Sequence, residues 1–382
     1  MTSSSAWELM VAASLADPGG EELSRIRVSL QRPVDWEAVL RLAEDHGTSS
    51  PVYQNLSRFG DPVPASVLES LKQRYEKNVH TSLLLVRELI RLLDCADALG
   101  VELIPYKGAV LSEAYYGDMA MRPSGDMDLF VRKQDVARTK NAVRDLGYAP
   151  RVLIPEAAER DYIESGYECT FDSPLGKNLL ELQWALQPRF YAVDFDMDGL
   201  FERAVEVSVA GRGVRTPCAE DLLLVLAVHA AKHVWGRLIW LCDIAQILRR
   251  QNLRWDLVQG RAREVGIERI LDITLILVNR FWGTAIPAWV FEDQVAKILA
   301  DEIARGIVVG VSCDVQHISY FRLMMRIRER RADRLRFIAR LAFTPGPGEW
   351  EAVRLPRLLF PFYRVVRLAR LTGRFGARVL GG

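Results

Sequence analysis

The sequence predicts an α+β protein in which a small mixed β-sheet core is flanked by N-terminal and C-terminal helical regions. Three observations lead there. Residues 1–97 and the stretch from about 219 onward carry apolar residues at helical spacing. Between them, short apolar runs bounded by Gly, Pro, Ser and Asp alternate with helical stretches, the texture of a mixed sheet. The 382 residues are 49% hydrophobic and 26% charged, enough to bury a sizeable core. The expected divisions are 1–97, 98–215 and 216–382.

Fifty Lys and Arg against forty-nine Asp and Glu leave a net charge of +1, which argues against a wholesale polyanion binder but not against local patches. The five cysteines, Cys95, Cys169, Cys218, Cys242 and Cys313, are odd in number, scattered and without a CxxC pair. Reduced thiols are expected, not a disulfide framework or a zinc knuckle. The first residues lack a basic stretch, so no signal peptide is expected. The apolar run 222–228 falls far short of the roughly 20 residues a membrane span needs. Cytoplasm is the expected compartment.

In chain order, Pro33 and Asp35 mark the start of a helix over 36–43. A longer helix is expected over 65–99, with Gly100 as its stop. Residues 101–106 read as a strand, Lys107-Gly108 as a turn, 109–116 as a helix and 117–125 as a polar loop. A second strand over 126–131 is followed by a helix over 134–146 that ends at Gly147. Two further strands are expected near 167–171 and 179–186, separated by the turn-like 172–176. Helices then return over 221–234, 240–249, 267–282 and 293–308. Residues 344–348, Thr-Pro-Gly-Pro-Gly, break the chain before a last segment, 355–380.

Asp126 and Asp128 stand two apart on a predicted strand, so their carboxylates share one face while Met127 and Leu129 point into a core. Paired carboxylates repel and raise each other's pKa, which favours a cation between them. Hard oxygen ligands suit Mg²⁺ or Mn²⁺, which could clamp a triphosphate for in-line displacement. A bare Asp-x-Asp also recurs by chance, and the alternative is a polar strand edge or a loop cap. Upstream, the turn into the 109–116 helix is a natural phosphate cradle. Lys107 at that turn could meet the β- or γ-phosphate, or be a solvated lysine. Arg122 could serve the same anion, or shape the loop through a salt bridge. Glu181 offers a third carboxylate on a strand-like run, with Glu168 and Asp172 as weaker candidates and a plain surface carboxylate as the alternative.

Taken together, Tyr106-Lys107-Gly108-Ala109-Val110-Leu111, Tyr115-Tyr116, Arg122-Pro123-Ser124-Gly125-Asp126-Met127-Asp128-Leu129-Phe130-Val131 and Leu146-Gly147-Tyr148 resemble the bacterial uncharacterised nucleotidyltransferase family, within the DNA polymerase β-like superfamily. The resemblance continues at Leu180-Glu181-Leu182-Gln183-Trp184, His229-Ala230-Ala231-Lys232-His233, Trp240-Leu241-Cys242-Asp243, and upstream at Asp35-Trp36 and Leu42-Ala43-Glu44-Asp45-His46. It implies a nucleotidyltransferase core, with Asp126 and Asp128 as metal ligands and Glu181 as the third acid, ligand or base. Lys107 and Gly108 would take the place of the superfamily's Gly-Ser turn. Ser124 joins Lys107, Gly108 and Arg122 in the implied NTP-binding set. Two departures stand out: Ala109 replaces the turn serine, and Gln183 stands where a histidine is common.

His229 and His233, four apart, share a helix face, but the glutamate of a helical zinc motif is absent. They read as satisfied helix histidines, or with Lys232 and Asp243 as a polar patch for acceptor or nucleotide. Residues 352–382 hold seven arginines and no acid, interleaved with apolar residues. Such a segment suits an anionic membrane, nucleic acid or a partner, and equally the chain's own helical region, which is the reading adopted.

The expected function is metal-dependent transfer of NMP from an NTP to an acceptor, releasing pyrophosphate. The near-neutral charge favours a small molecule, peptide or protein acceptor over long RNA. The alternatives are an inactive nucleotide-binding or scaffold protein and a basic-tailed adaptor at a membrane or RNA surface.

Overall fold

The computed structural model describes residues 4–154, 156–173, 176–310, 318–344, 353, 355, 359 and 362–370. The chain begins with α1 (Ser4–Ala12), α2 (Gly20–Leu30), α3 (Trp36–Asp45), α4 (Ser49–Leu56) and the 34-residue α5 (Ala65–Ala98). Asp35 starts α3 as expected: its carboxylate accepts the Ala38 N–H at 3.0 Å. Gly100 ends α5 in left-handed backbone at φ +62°. There the Val101 N–H reaches the Ala96 carbonyl and the Gly100 N–H reaches that of Asp97, a glycine-dependent stop.

The core follows as β1 (Leu103–Pro105), α6 (Ala109–Leu111) running into a π-helical turn over Ser112–Tyr116, β2 (Met127–Val131), α7 (Val136–Asp145), β3 (Ala149–Pro150), α8 (Glu156–Ser165), β4 (Glu168–Ser173) and β5 (Gly176–Gln183). The sheet order is β1-β2-β5-β4-β3. Only the β2–β5 pair is parallel. The expected small mixed sheet is therefore present, with β3 added to the four strands expected. The strand expected over 179–186 sits earlier, because β4 and β5 form a hairpin whose bulge lies between Phe171 and Ser173.

Alternation along β2 decides what the sheet carries. Met127, Leu129 and Val131 face an apolar cluster built from Leu85, Leu89, Leu92 and Leu93 of α5 and Val143 of α7. The opposite face carries Asp128, then Phe130, which stacks on Tyr106 at 4.1 Å. α5 thus covers the back of the sheet with its second half, while Val67 and Leu71 of its first half belong to the other core.

After α9 (Met197–Glu202) comes a hairpin not among the expected strands, β6 (Val205–Val209) and β7 (Arg212–Thr216). It docks beside β1, where the Thr216 hydroxyl donates to the Pro105 carbonyl at 2.9 Å. Helices then return: α10 (Ala219–Lys232), α11 (Leu238–Arg250), α12 (Trp255–Val265), α13 (Glu268–Trp282), α14 (Gln294–Val309), α15 (Ile318–Arg326) and α16 (Arg331–Phe343). One large core joins them to the N-terminal helices. Within it Trp282 of α13 donates to the Val11 carbonyl at 3.0 Å. No helix among the described residues is long and apolar enough to cross a membrane.

Most of the basic segment 352–382 lies outside the described residues. Where it is described, it touches the protein itself: Tyr363 is buried, and Arg367 donates to the Leu341 carbonyl of α16 at 3.3 Å.

Candidate functional site

Asp128 lies within β2, and Asp126 one residue before the strand begins. The parallel register sets Asp128 opposite Glu181 of β5. β4 continues the same wall, with Glu168 opposite Gln183. Asp126, Asp128, Glu181 and Glu168 all line one cleft of about 460 Å³. Asp172, the other candidate acid, is not among its lining residues.

The cleft floor is a hydrogen-bonded set. Lys107 pairs with Asp128 at 3.1 Å, both side chains buried. The Tyr106 hydroxyl donates to the Gln183 side-chain carbonyl at 2.9 Å. The Gln183 amide nitrogen donates to Glu181 at 3.0 Å. A neutral amide, accepting with one end and donating with the other, thus joins Tyr106 to Glu181. Gly108 makes the turn possible. Its backbone, at φ +61° and ψ −132°, belongs to a region essentially reserved for glycine. A Cβ there would also stand 3.4 Å from the Ser124 hydroxyl. That hydroxyl donates to the Asp126 carbonyl at 3.1 Å, holding the loop that presents the acid.

Arg122 also lines the cleft, but its fork is committed. Nε and Nη2 donate to the two oxygens of Asp243 at 2.8 Å each. Burial opposes the Arg122 charge, yet Asp243 more than offsets it and its pKa rises. Asp243 is fully buried and also accepts the Tyr116 hydroxyl at 2.6 Å. It is not part of the cleft wall with His229, Lys232 and His233; it braces Arg122 from behind.

The acids carry a charge deficit. Burial and then Asp128 push the Asp126 carboxyl up. Burial, Asp128 and Glu168 push Glu181 up to about 7. Burial raises Glu168 as well, against the pull of Lys232. Asp126, Asp128 and Glu181 offer the oxygen donors that a hard divalent cation takes. Among the described residues, no three His, Cys, Asp or Glu side chains are gathered into a ready-made metal cluster. Lys107 supplies the compensating charge at Asp128.

The facing wall comes from the α10–α11 corner. His229, Lys232 and His233 line the cleft as expected, joined by Arg237 and Trp240. The Lys232 ammonium lies 5.3 Å from the Tyr167 ring centre. Between α10 and α11, Val234 and Trp235 both adopt left-handed backbone at φ 54° and φ 50°, which costs about 1–3 kcal/mol per residue. Buried Trp235 holds the turn by donating to Thr274 at 2.9 Å. The end of α3 closes this wall: the Ile239 N–H donates to the His46 carbonyl at 3.1 Å and Arg237 Nε to the Asp45 carbonyl at 3.0 Å. Sequence reasoning missed Arg237, for which no local signal exists, and the bracing role of Asp243. Glu168, the weaker candidate, also lines the cleft, because strand pairing places it beside Gln183.

Among solved structures, an antigenic nucleotidyltransferase-like protein from Paracoccidioides brasiliensis is similar over 56% of this chain and 96% of its own, at 14% identity and a TM-score of 0.32. That likeness is too slight to bear on the chemistry. No curated protein matches the chain. The model of the uncharacterised nucleotidyltransferase family matches residues 32–283, which span the N-terminal helices from α3, the sheet, the whole cleft and α10 through α13; the chain belongs to that family.

Proposed function

We propose that this protein transfers a nucleoside monophosphate from an NTP to an acceptor hydroxyl or phosphate and releases pyrophosphate, using Mg²⁺ or Mn²⁺. Family membership supports nucleotidyl transfer in general. The observation that carries the finer reading is the strand register that sets Asp128 beside Glu181, with Asp126 on the same cleft wall and Lys107 at its base. Asp126 and Asp128 would hold the divalent ion, with Glu181 as its third ligand or as the base. When bound, such an ion neutralises charge on the donor phosphates and lowers the pKa of the attacking group.

The chain's own residues account for the remaining steps. Lys107 exchanges its contact with Asp128 for the triphosphate and balances negative charge there. Arg122 keeps a permanent positive charge at the cleft, fixed in place by Asp243. The acceptor oxygen attacks the α-phosphorus, and the bond to the β-phosphate oxygen breaks. Pyrophosphate leaves, and the acceptor's proton passes to Glu181 where that carboxylate serves as base rather than as ligand. The acceptor is read as a small molecule, peptide or protein.

A second reading, a nucleotide-binding protein without turnover, draws on two features. Ala109 follows Gly108 where the superfamily turn carries a serine, and Lys107 is engaged with Asp128. Incubation with each labelled NTP and Mg²⁺ in a cognate lysate separates the two. Transfer of label that disappears in Asp126→Asn, with the fold intact, supports catalysis. Nucleotide binding with no pyrophosphate released supports the second reading.

A further inference from the structure

The cleft wall opposite the acids is aromatic as well as basic. The His229 and His233 rings lie 4.8 Å apart, and Trp240 lies 5.4 Å from the first and 5.0 Å from the second. All three line the cleft. Neither imidazole makes a hydrogen bond with the described protein; their ring contacts are to each other and to Trp240. His233 is exposed, and Trp240 is partly exposed.

This cluster is held in place at a cost. His233 sits at the end of α10, and Trp240 in the first turn of α11. The two left-handed residues between them, Val234 and Trp235, make the reversal that brings the two rings together. Val234 is β-branched, so its left-handed backbone is unusual; the turn is held by the Trp235 N–H on the Ala230 carbonyl at 2.7 Å and by the buried Trp235 ring on Thr274.

Both imidazoles are kept neutral. Burial, then Lys107 and His233, hold His229 well below the usual histidine range. The surrounding protein, then Lys232 and Lys107, press His233 down to about 4. Lys232 and Arg237 line the same wall and Lys107 stands at the floor, so the phosphates have cations to meet; the two imidazoles and Trp240 are the uncharged part of the wall. The wall offers ring faces and neutral ring nitrogens, the complement of a flat heteroaromatic ligand. The cleft volume falls within the range usual for small-ligand sites.

We propose that His233 and Trp240, backed by His229, form the subsite for the nucleobase of the donor nucleotide, with stacking as the main contact. The inference rests on the NTP-transfer reading. Stacking tolerates any base and favours the larger purine face, so ATP and GTP bind more tightly here than CTP and UTP.

The test compares His233→Ala and Trp240→Leu with the unaltered protein in titrations with ATP and with inorganic tripolyphosphate, each with Mg²⁺. The exposed His233 can be trimmed without opening the core, which keeps the test independent of the Trp240 variant's folding. The expected result is a loss of ATP affinity of roughly tenfold in each variant, with tripolyphosphate affinity unchanged. Equal losses for both ligands, or no loss for ATP, overturn the base subsite while leaving NTP binding intact. If the unaltered protein binds neither ATP nor tripolyphosphate, the nucleotidyl-transfer reading falls and takes the subsite with it.

Discussion

Asp243 on α11 grips Arg122 in the loop before β2 through two hydrogen bonds of 2.8 Å, with both side chains buried. This pair ties the helical half of the molecule to the loop that delivers Asp126 and Asp128. Removing one member of a buried pair strands the other's charge, at a cost of about 3–5 kcal/mol. Asp243→Asn is therefore expected to lower the denaturation midpoint sharply. Tyr116→Phe, which removes only the hydroxyl donated to Asp243, is expected to cost about 1.5–3 kcal/mol. Urea titration of both variants measures the difference; a midpoint unmoved by Asp243→Asn would refute the bracing role.

Lys107 and a divalent ion are expected to compete for Asp128. Replacing Lys107 with Met leaves Asp128 without its 3.1 Å partner. The variant should be less stable without metal, and it should gain more in melting temperature than the unaltered protein when Mg²⁺ is added. NMP transfer should nonetheless fall about a hundredfold or more, because one removed charge-stabilising donor costs on the order of 10²–10³ in rate. Melting curves with and without Mg²⁺, alongside a pyrophosphate-release assay, check both parts. An Mg²⁺ response no larger than that of the unaltered protein counts against shared occupancy.

Gly108→Ala should damage stability and turnover together. Its backbone angles exclude a side chain, and forcing an alanine into them costs about 1–3 kcal/mol. The same strain would displace Lys107 from the cleft floor. A variant with unaltered stability and rate would show that the turn adapts.

Outside the cleft, Asp272 on α13 gives a pH signature. Burial, then Asp293, Glu268 and Glu329, raise it from 3.8 to about 7, against the pull of Arg269. One of its oxygens is buried without a hydrogen-bond partner. The folded state therefore binds this proton more tightly than the unfolded chain. Its stabilising effect is full below about pH 3.8 and is lost as pH rises through 7. Relative to Asp272→Asn, the unaltered protein should lose stability steadily across that window. Denaturant midpoints of both proteins at several pH values test the slope, and parallel curves would show that Asp272 does not titrate there.

Much of this site was legible in the sequence because its signals are local. A two-residue spacing on a strand fixes a common face, so Asp126 and Asp128 could be paired without coordinates. Gly100 and Asp35 marked helix ends by backbone chemistry that needs no partner. The β6–β7 hairpin went unread although Val205-Glu206-Val207-Ser208-Val209 alternates apolar and polar residues and Ala210-Gly211 can turn the chain; its signal is confined to a five-residue strand, and β7 carries two arginines and a glycine. Glu181 could be put ahead of Glu168 and Asp172 from its strand-like run, but only the strand register sets it opposite Asp128.

What the chain determined by itself was the existence of the acid pair, the glycine turn beside it, the long α5 helix and the mixed α+β character. These follow from side-chain alternation and backbone preference within a few neighbouring residues. What only the tertiary structure decided was which third acid stands next to Asp128, which residue braces Arg122, and that the α10–α11 corner faces the sheet. Those outcomes depend on strand register and helix packing between residues up to more than a hundred positions apart, and contacts at that separation leave no periodic trace in the sequence.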